Sequence, residues 1–254
     1  MEIYFITAEQ VKFDGGACFG VVPKSLWSKI YPPDENNMVP FALRNLLVVE
    51  NGRKILFDTG VGNKQDEKFG SHFFLHGQDN LVNALKSHGL SPDDITDVVH
   101  THLHFDHCGG TFRNNERNET VPLFNNAFLW CSQGQWKWAN NPNPREKASY
   151  LIENLLPMQE SGRLNFIHNE TQFTDNIFLK IVNGHTDQQL IPVINYHGRT
   201  MVFMADFIPT AAHVSLPYIA AYDTRPLLSM EEKQNFLAEA AENDYLLVFQ
   251  HDAI

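Results

Sequence analysis

The chain has 254 residues, room for one large domain or two small ones, and its 43% hydrophobic and 19% charged content is that of a folded protein with a sizeable core, not of a disordered one. Its formal charge of −11 argues against nucleic acid, which is gripped by clustered Lys and Arg, and suits a small neutral or apolar substrate. Cys18, Cys108 and Cys131 are too scattered for a disulfide framework or a thiolate zinc finger, and the opening "MEIYFITAEQ" lacks the basic segment and long apolar run expected of a signal peptide. With no apolar run of bilayer length, a cytoplasmic protein without a membrane partner is expected.

The first legible elements are "RNLLVVE" and "RKILFDTG", two β-runs joined by the Asn51-Gly52 turn of a hairpin, with Asp58 at the second strand's end. A helix follows over 80–88, with Asp79 as N-cap, Leu81 and Leu85 one turn apart and Gly89 as the stop. Strand "DVVH" then leads into "THLHFDHCGG". The segment 133–163 breaks the rhythm as a helical insertion. There Asn143 and Pro144 read as N-cap and first helical residue, and Ala148, Leu151, Ile152, Leu155 and Leu156 form an apolar stripe that packs on the sheet or on a second copy in a homodimer. Trp136 and Trp138 lie in the same insertion, as lid, dimer contact or core. Further strands are expected near 164–168, 177–182, 190–196 and 200–205. A helix over 230–242 is opened by a Ser229/Glu232 capping box, and "YLLVF" is the last strand. "GRKILFDTG" (52–60) and "GRTMVFMAD" (198–206) echo one another, which suggests two β-rich halves in one 254-residue domain.

The chemistry concentrates in 102–107, which hold three of the twelve histidines and one aspartate. After a buried strand the chain is still extended, so His102 and His104, two apart, point the same way and can grip one ion. Beyond Phe105 it turns at Gly109 and Gly110, which brings Asp106 and His107 toward a second ion. Burying these groups with neither a metal nor partners would cost on the order of several kcal/mol each.

The spacing in "HLHFDHCGG", behind a strand, resembles the metallo-β-lactamase superfamily, within it the branch of N-acyl homoserine lactone lactonases and methyl parathion hydrolase. The resemblance extends to "NGHT", "MAD" and "VFQHD" in the family's order. It implies an α+β, four-layered αββα sandwich. It also implies that His102, His104 and His185 hold one metal, that Asp106, His107 and His251 hold the other, and that Asp206 bridges them. Asp58 matches a family position that hydrogen-bonds a ligating histidine and so fixes its tautomer. A nitrogen-rich, sulfur-free set suits two Zn²⁺, with Mn²⁺, Fe²⁺ or Co²⁺ as alternatives.

Two ions roughly 3.5 to 4 Å apart would share a water whose pKa falls toward about 7, a hydroxide nucleophile for metal-assisted hydrolysis. Asp106 or Asp206 would orient it or carry its proton to the leaving group. The expected substrate is a small ester, a lactone such as an N-acyl homoserine lactone, or a phosphotriester. β-Lactams fit poorly, because zinc β-lactamases put a cysteine at the place of Asp206 or lack the Asp-His pair. Glyoxalase II enzymes add a glutathione-binding domain, whereas only Asp252, Ala253 and Ile254 follow His251 here. The lactonases carry a substrate-touching tyrosine where this chain has Pro209, and His213, Tyr218 or Tyr222 would stand in for it. Phe19, Trp27, Phe105 and Phe207 are candidate pocket walls. The competing reading, a sensor that binds a small ligand without turning it over, is disfavoured by three protein ligands per ion plus a shared bridge, which leave a coordination position open.

Overall fold

The computed structural model describes residues 1–77 and 80–254, so the Asp79 N-cap lies outside the described residues. The chain forms two compact units, Met1–Val11 with Ala42–His168, and Lys12–Phe41 with Asn169–Ile254. Among the described residues no helix is long and apolar enough to cross a membrane.

The first unit is built on a six-stranded sheet. Its strands, with the hairpin of β5 and β6 between them in sequence, are β1 (Glu2–Asp14), β2 (Met38–Glu50), β3 (Arg53–Phe57), β4 (Asp97–Val99), β5 (Phe112–Asn114), β6 (Thr120–Pro122), β7 (Phe128–Ser132) and β8 (Leu164–Ile167). The sheet order is β1-β2-β3-β4-β7-β8, while β5 and β6 pair separately. The Asn51-Gly52 turn closes the β2–β3 hairpin with φ of 47° and 79° at its two residues, the geometry that the right-handed twist of paired strands favours. From β3 onward the strands run parallel. Helix Asn80–Ser87 buries Leu81 and Leu85 against Leu56, Val98 and Ile95, and it ends at Gly89, whose φ of 73° is free for glycine.

Two readings of the insertion need correcting. Helices do occupy it, as Gln133–Ala139 and Ile152–Glu160, but none starts at Asn143. The Asn143 side chain accepts from the amides of Arg145 and Glu146 and makes a tight turn, and Tyr150 and Leu151 are extended before the second helix begins. That later start rotates the helix. Asn154, Leu155 and Met158 go inward, while Ile152 and Leu156 of the expected stripe are exposed.

The second unit carries β9 (Thr171–Gln172), β10 (Ile177–Val182), β11 (Gln189–Tyr196), β12 (Arg199–Phe203) and β13 (Leu246–Val248), in the order β13-β12-β11-β10-β9. Here β11 and β12 form a hairpin through His197 and Gly198, with φ of 51° and 79°, and β12 then pairs parallel with β13. The same succession of hairpin, positive-φ turn and parallel neighbour occurs in β2, β3 and β4, so the sequence echo is an echo of backbone as well. Helix Pro226–Glu242 buries Phe236 and Ala240 against Val182, Ile191 and Val202. It begins one turn before the expected capping box, with proline in its first turn, where a missing N–H costs nothing. Ser229 is thereby inside the helix, packed against Gly184. Glu232, freed from capping, accepts from the amides of Asn183 and Gly184.

Candidate metal centre

In the first unit the metal-binding loop leaves β4 as an extended segment, and His104 then starts the short helix Phe105–Cys108. The loop lies along the segment that follows β3. Thr59 N donates to His107 O and Gly110 N to Gly60 O, 2.8 and 3.0 Å. Gly109 and Gly110 are needed for closeness more than for turning. Gly109 has an ordinary helical φ of −62°, but a Cβ there would run into the Val61 carbonyl oxygen, and one on Gly110 into that of Thr59.

The hydrogen bonds behind the histidines fix where their protons sit, an assignment made from the network. Asp58, fully buried at φ 61°, accepts from Thr101 N and Thr101 Oγ1, both at 2.8 Å, and from His107 Nδ1 at 3.0 Å. Because the Thr101 hydroxyl spends its proton on Asp58, its oxygen accepts from His102 Nδ1, 3.1 Å away. Glu146 Oε1 accepts from His104 Nε2 at 2.9 Å. In these tautomers the other ring nitrogens act as acceptors, and His102 Nε2 faces His104 Nδ1 at 3.0 Å. Two acceptors that close repel unless a cation lies between them. Two nitrogens each bound at about 2.0–2.1 Å to one tetrahedral zinc would stand roughly 3.3 Å apart. Likewise His107 Nε2 faces Asp106 Oδ2 at 3.5 Å.

The second unit repeats the pattern. His185 follows β10 and is backed by Asp223, whose Oδ1 accepts from His185 Nδ1 at 2.9 Å, while Thr224 N donates to the His185 carbonyl. Asp206 follows β12 after Ala205, which is held at φ 44°. The Asp206 carboxylate divides between two imidazoles, Oδ2 at 3.2 Å from His185 Nε2 and Oδ1 at 2.6 Å from His251 Nε2. His251 comes after β13, its amide donating to the Pro209 carbonyl and its ring stacked on Phe41. All seven expected ligands are buried, and they are imidazole and carboxylate donors of the kind that hold metal ions.

The candidate pocket residues divide. Phe19 and Trp27 stack at 4.9 Å in a buried aromatic group of the second unit. Phe207 lies edge-on to Phe236 in that unit's core, and Phe105 is packed between Phe69 and Phe73 in the first. His213 faces inward. Its ring stacks on Phe19, Nε2 donates to the Cys18 carbonyl, Nδ1 meets the Thr210 hydroxyl, and burial pushes its pKa down to about 4. Tyr218 is half-buried and edge-on to Phe19. Tyr222 instead sets its ring edge-on to His185, 5.8 Å between centroids. Cys108 is inert, its thiol pushed up to about 12 by burial.

Sequence reasoning missed Thr101, Glu146 and Asp223. Thr101 adjoins the motif and was within reach of it. Glu146 and Asp223 stand 42 and 38 residues from the histidines they back, at no motif spacing.

Comparison with known proteins bears on the family and the fold. The model of the metallo-β-lactamase superfamily matches residues 44–113. A probable metal-dependent hydrolase from Staphylococcus aureus is 31% identical, with a TM-score of 0.92 over 99% of this chain and 89% of that one. The dizinc quorum-quenching lactonase AidC shares the fold at a TM-score of 0.81 and 20% identity, over 98% of this chain and 86% of its own. An N-acyl homoserine lactonase from a Bacillus species is 39% identical over 153 residues, which are 56% of this chain and 53% of that protein. The chain thus spans about half the length, or less, of the curated lactonases it matches. With the superfamily's own pattern falling on the strands and loop that carry His102 to His107, and 31% identity sustained along nearly the whole of a solved hydrolase, the chain belongs to the metallo-β-lactamase superfamily.

Proposed function

We propose that the chain is a dinuclear metal-dependent hydrolase of a small ester or lactone, with N-acyl homoserine lactones the first substrates to try and phosphotriesters the next. His102, His104 and His185 would hold one ion and Asp106, His107 and His251 the other, with Asp206 shared between them. Zinc suits the donor set best. The observation that carries the reading is that His102 Nε2 and His104 Nδ1 face each other at 3.0 Å while their outer nitrogens meet the Thr101 hydroxyl and the Glu146 carboxylate, an arrangement that suits a metal ion held by the two inner nitrogens. The bound ions would supply an activated water and polarise the substrate carbonyl.

The protein's own groups do the rest. Asp58, Glu146 and Asp223 hold three imidazoles in the tautomer that presents a lone pair, so no proton has to be displaced when metal enters. Asp206, with one oxygen toward each histidine, suits the shared position, and Asp106 or Asp206 would carry the proton to the leaving alkoxide. For the missing lactonase tyrosine at Pro209 the side chains favour Tyr222. His213 is turned into the core and kept neutral by burial, Tyr218 lies against Phe19, and Tyr222 stands beside a ligand. The similarity to curated N-acyl homoserine lactonases supports the substrate class. The test is hydrolysis of short- and long-chain N-acyl homoserine lactones, aryl esters and a phosphotriester by the zinc-loaded protein and its Asp206→Ala variant. Turnover by the parent and none by a folded variant is expected. A variant as active as its parent would remove Asp206 from the site, and two bound metals without turnover of any substrate would favour the ligand-binding alternative.

A further inference from the structure

The 133–163 insertion has no assigned task, yet it delivers one carboxylate to the metal-binding loop. Glu146 is buried, and four donors converge on its two oxygens. His104 Nε2 and the Tyr150 hydroxyl reach Oε1 at 2.9 and 2.7 Å, and Trp138 Nε1 and Asn143 Nδ2 reach Oε2 at 2.6 and 3.2 Å. Three of these donors come from the insertion itself, and Tyr150 also packs its ring on that of His104 at 4.9 Å. A carboxylate only accepts, so the proton on this side of His104 has to sit on Nε2, and Nδ1 is left as the lone pair that faces His102. The indole donor cannot reverse its role, which keeps the carboxylate from turning away.

We propose that Glu146 is a positioning residue for the metal centre, and that the insertion serves to hold its carboxylate against His104. This rests on the reading of His102, His104 and their partners as metal ligands. Carboxylates placed behind a ligating imidazole raise its basicity and fix its orientation, and losing one commonly weakens metal affinity about 10- to 100-fold. The proposed ligand that Glu146 backs is His104, so its loss is expected to act on the ion that His104 would hold.

Two measurements test this, the first on metal-free protein. Imidazole nitrogen NMR of the parent is expected to show His104 as the Nε2–H tautomer, and Glu146→Gln to show a mixture or the opposite one. A merely structural clamp would leave the tautomer unchanged. In the second, zinc is titrated against a chromophoric chelator. Glu146→Gln is expected to weaken one of two binding steps about 10- to 100-fold and leave the other as it was. Should the glutamine variant fail to fold, Tyr150→Phe and Trp138→Phe each remove one donor and leave the carboxylate in place, and their losses should fall between the parent and that range. Parent-like tautomer and affinities in every folded variant would overturn the role of Glu146 while leaving the hydrolase reading intact. A parent protein that binds no zinc at all would sink both.

Discussion

Asp58→Asn isolates proton placement from everything else, because asparagine is nearly isosteric and tolerates the φ of 61° at this position as well as aspartate does. Oδ1 would still accept from Thr101 N, but the amide NH₂ would replace Oδ2, the oxygen that receives both the Thr101 hydroxyl and His107 Nδ1. Both partners must then become acceptors. His107 has to move its proton to Nε2, the nitrogen proposed to bind the second ion. The Thr101 hydroxyl, turned away from residue 58, can donate to His102 Nδ1, which sends the His102 proton to Nε2, the nitrogen proposed to bind the first. One substitution therefore spoils a ligand of each ion. With a loss of about 10- to 100-fold per disturbed ligand, each binding step should weaken by about 1.4 to 2.7 kcal/mol. Competition with a chromophoric chelator reads the two steps separately, and the pattern differs from Glu146→Gln, which should touch one step alone. Retention of both affinities, or loss at a single step, would refute the proton chain through Thr101.

What the sequence revealed depended on how local the determinant was. The hairpin at Asn51-Gly52, the Gly89 stop and the HxHxDH loop are written in neighbouring residues, and each is found where its pattern falls. The two missed carboxylates are tertiary facts. Asp223 reaches His185 only because the chain after the Pro209 segment turns back, with Thr224 and Arg225 donating to the carbonyls of His185 and Gly184. The failures inside elements have similar causes. Ser229 with Glu232 has the spacing of a capping box, but Pro226 had already opened the helix, and Glu232 met stronger demand from two amides of the β10–β11 loop. Asn143-Pro144 has the start of a helix, but the following residues are drawn into a turn that carries Glu146 to His104. Gly109 and Gly110 were read correctly as necessary for a partly mistaken reason, since no sequence pattern shows that the Val61 and Thr59 carbonyls lie where a side chain would go.

Those glycines supply a second prediction. Gly110→Ala drives a methyl into a backbone oxygen that belongs to a buried segment and cannot swing aside, so a loss of about 3 kcal/mol or more in denaturant unfolding is expected, with zinc binding impaired as well. An unfolding midpoint like the parent's would show that the loop has slack there. The third prediction concerns acid. His213 donates Nε2–H to the Cys18 carbonyl and accepts at Nδ1 from the Thr210 hydroxyl, while Lys233 donates to its backbone carbonyl. Burial foremost, and the neighbouring Lys233 ammonium in addition, lower its pKa to about 4, against about 6.5 for an exposed imidazole. Between these values the unfolded chain takes up a proton that the folded one refuses. The stability associated with His213 is thus complete above about pH 6.5 and is lost as pH falls toward about 4, by up to roughly 1.4 kcal/mol per pH unit. His100, lowered to about 4 by its own burial, adds to the slope in the same window, so the diagnostic quantity is the difference between the parent and His213→Gln. The variant should be less stable at pH 7.5 yet lose less on going to pH 5, as read by urea unfolding of the metal-free proteins. Equal slopes would mean that His213 is protonated in the native state, and that the Thr210 hydroxyl gives way to accept its second proton.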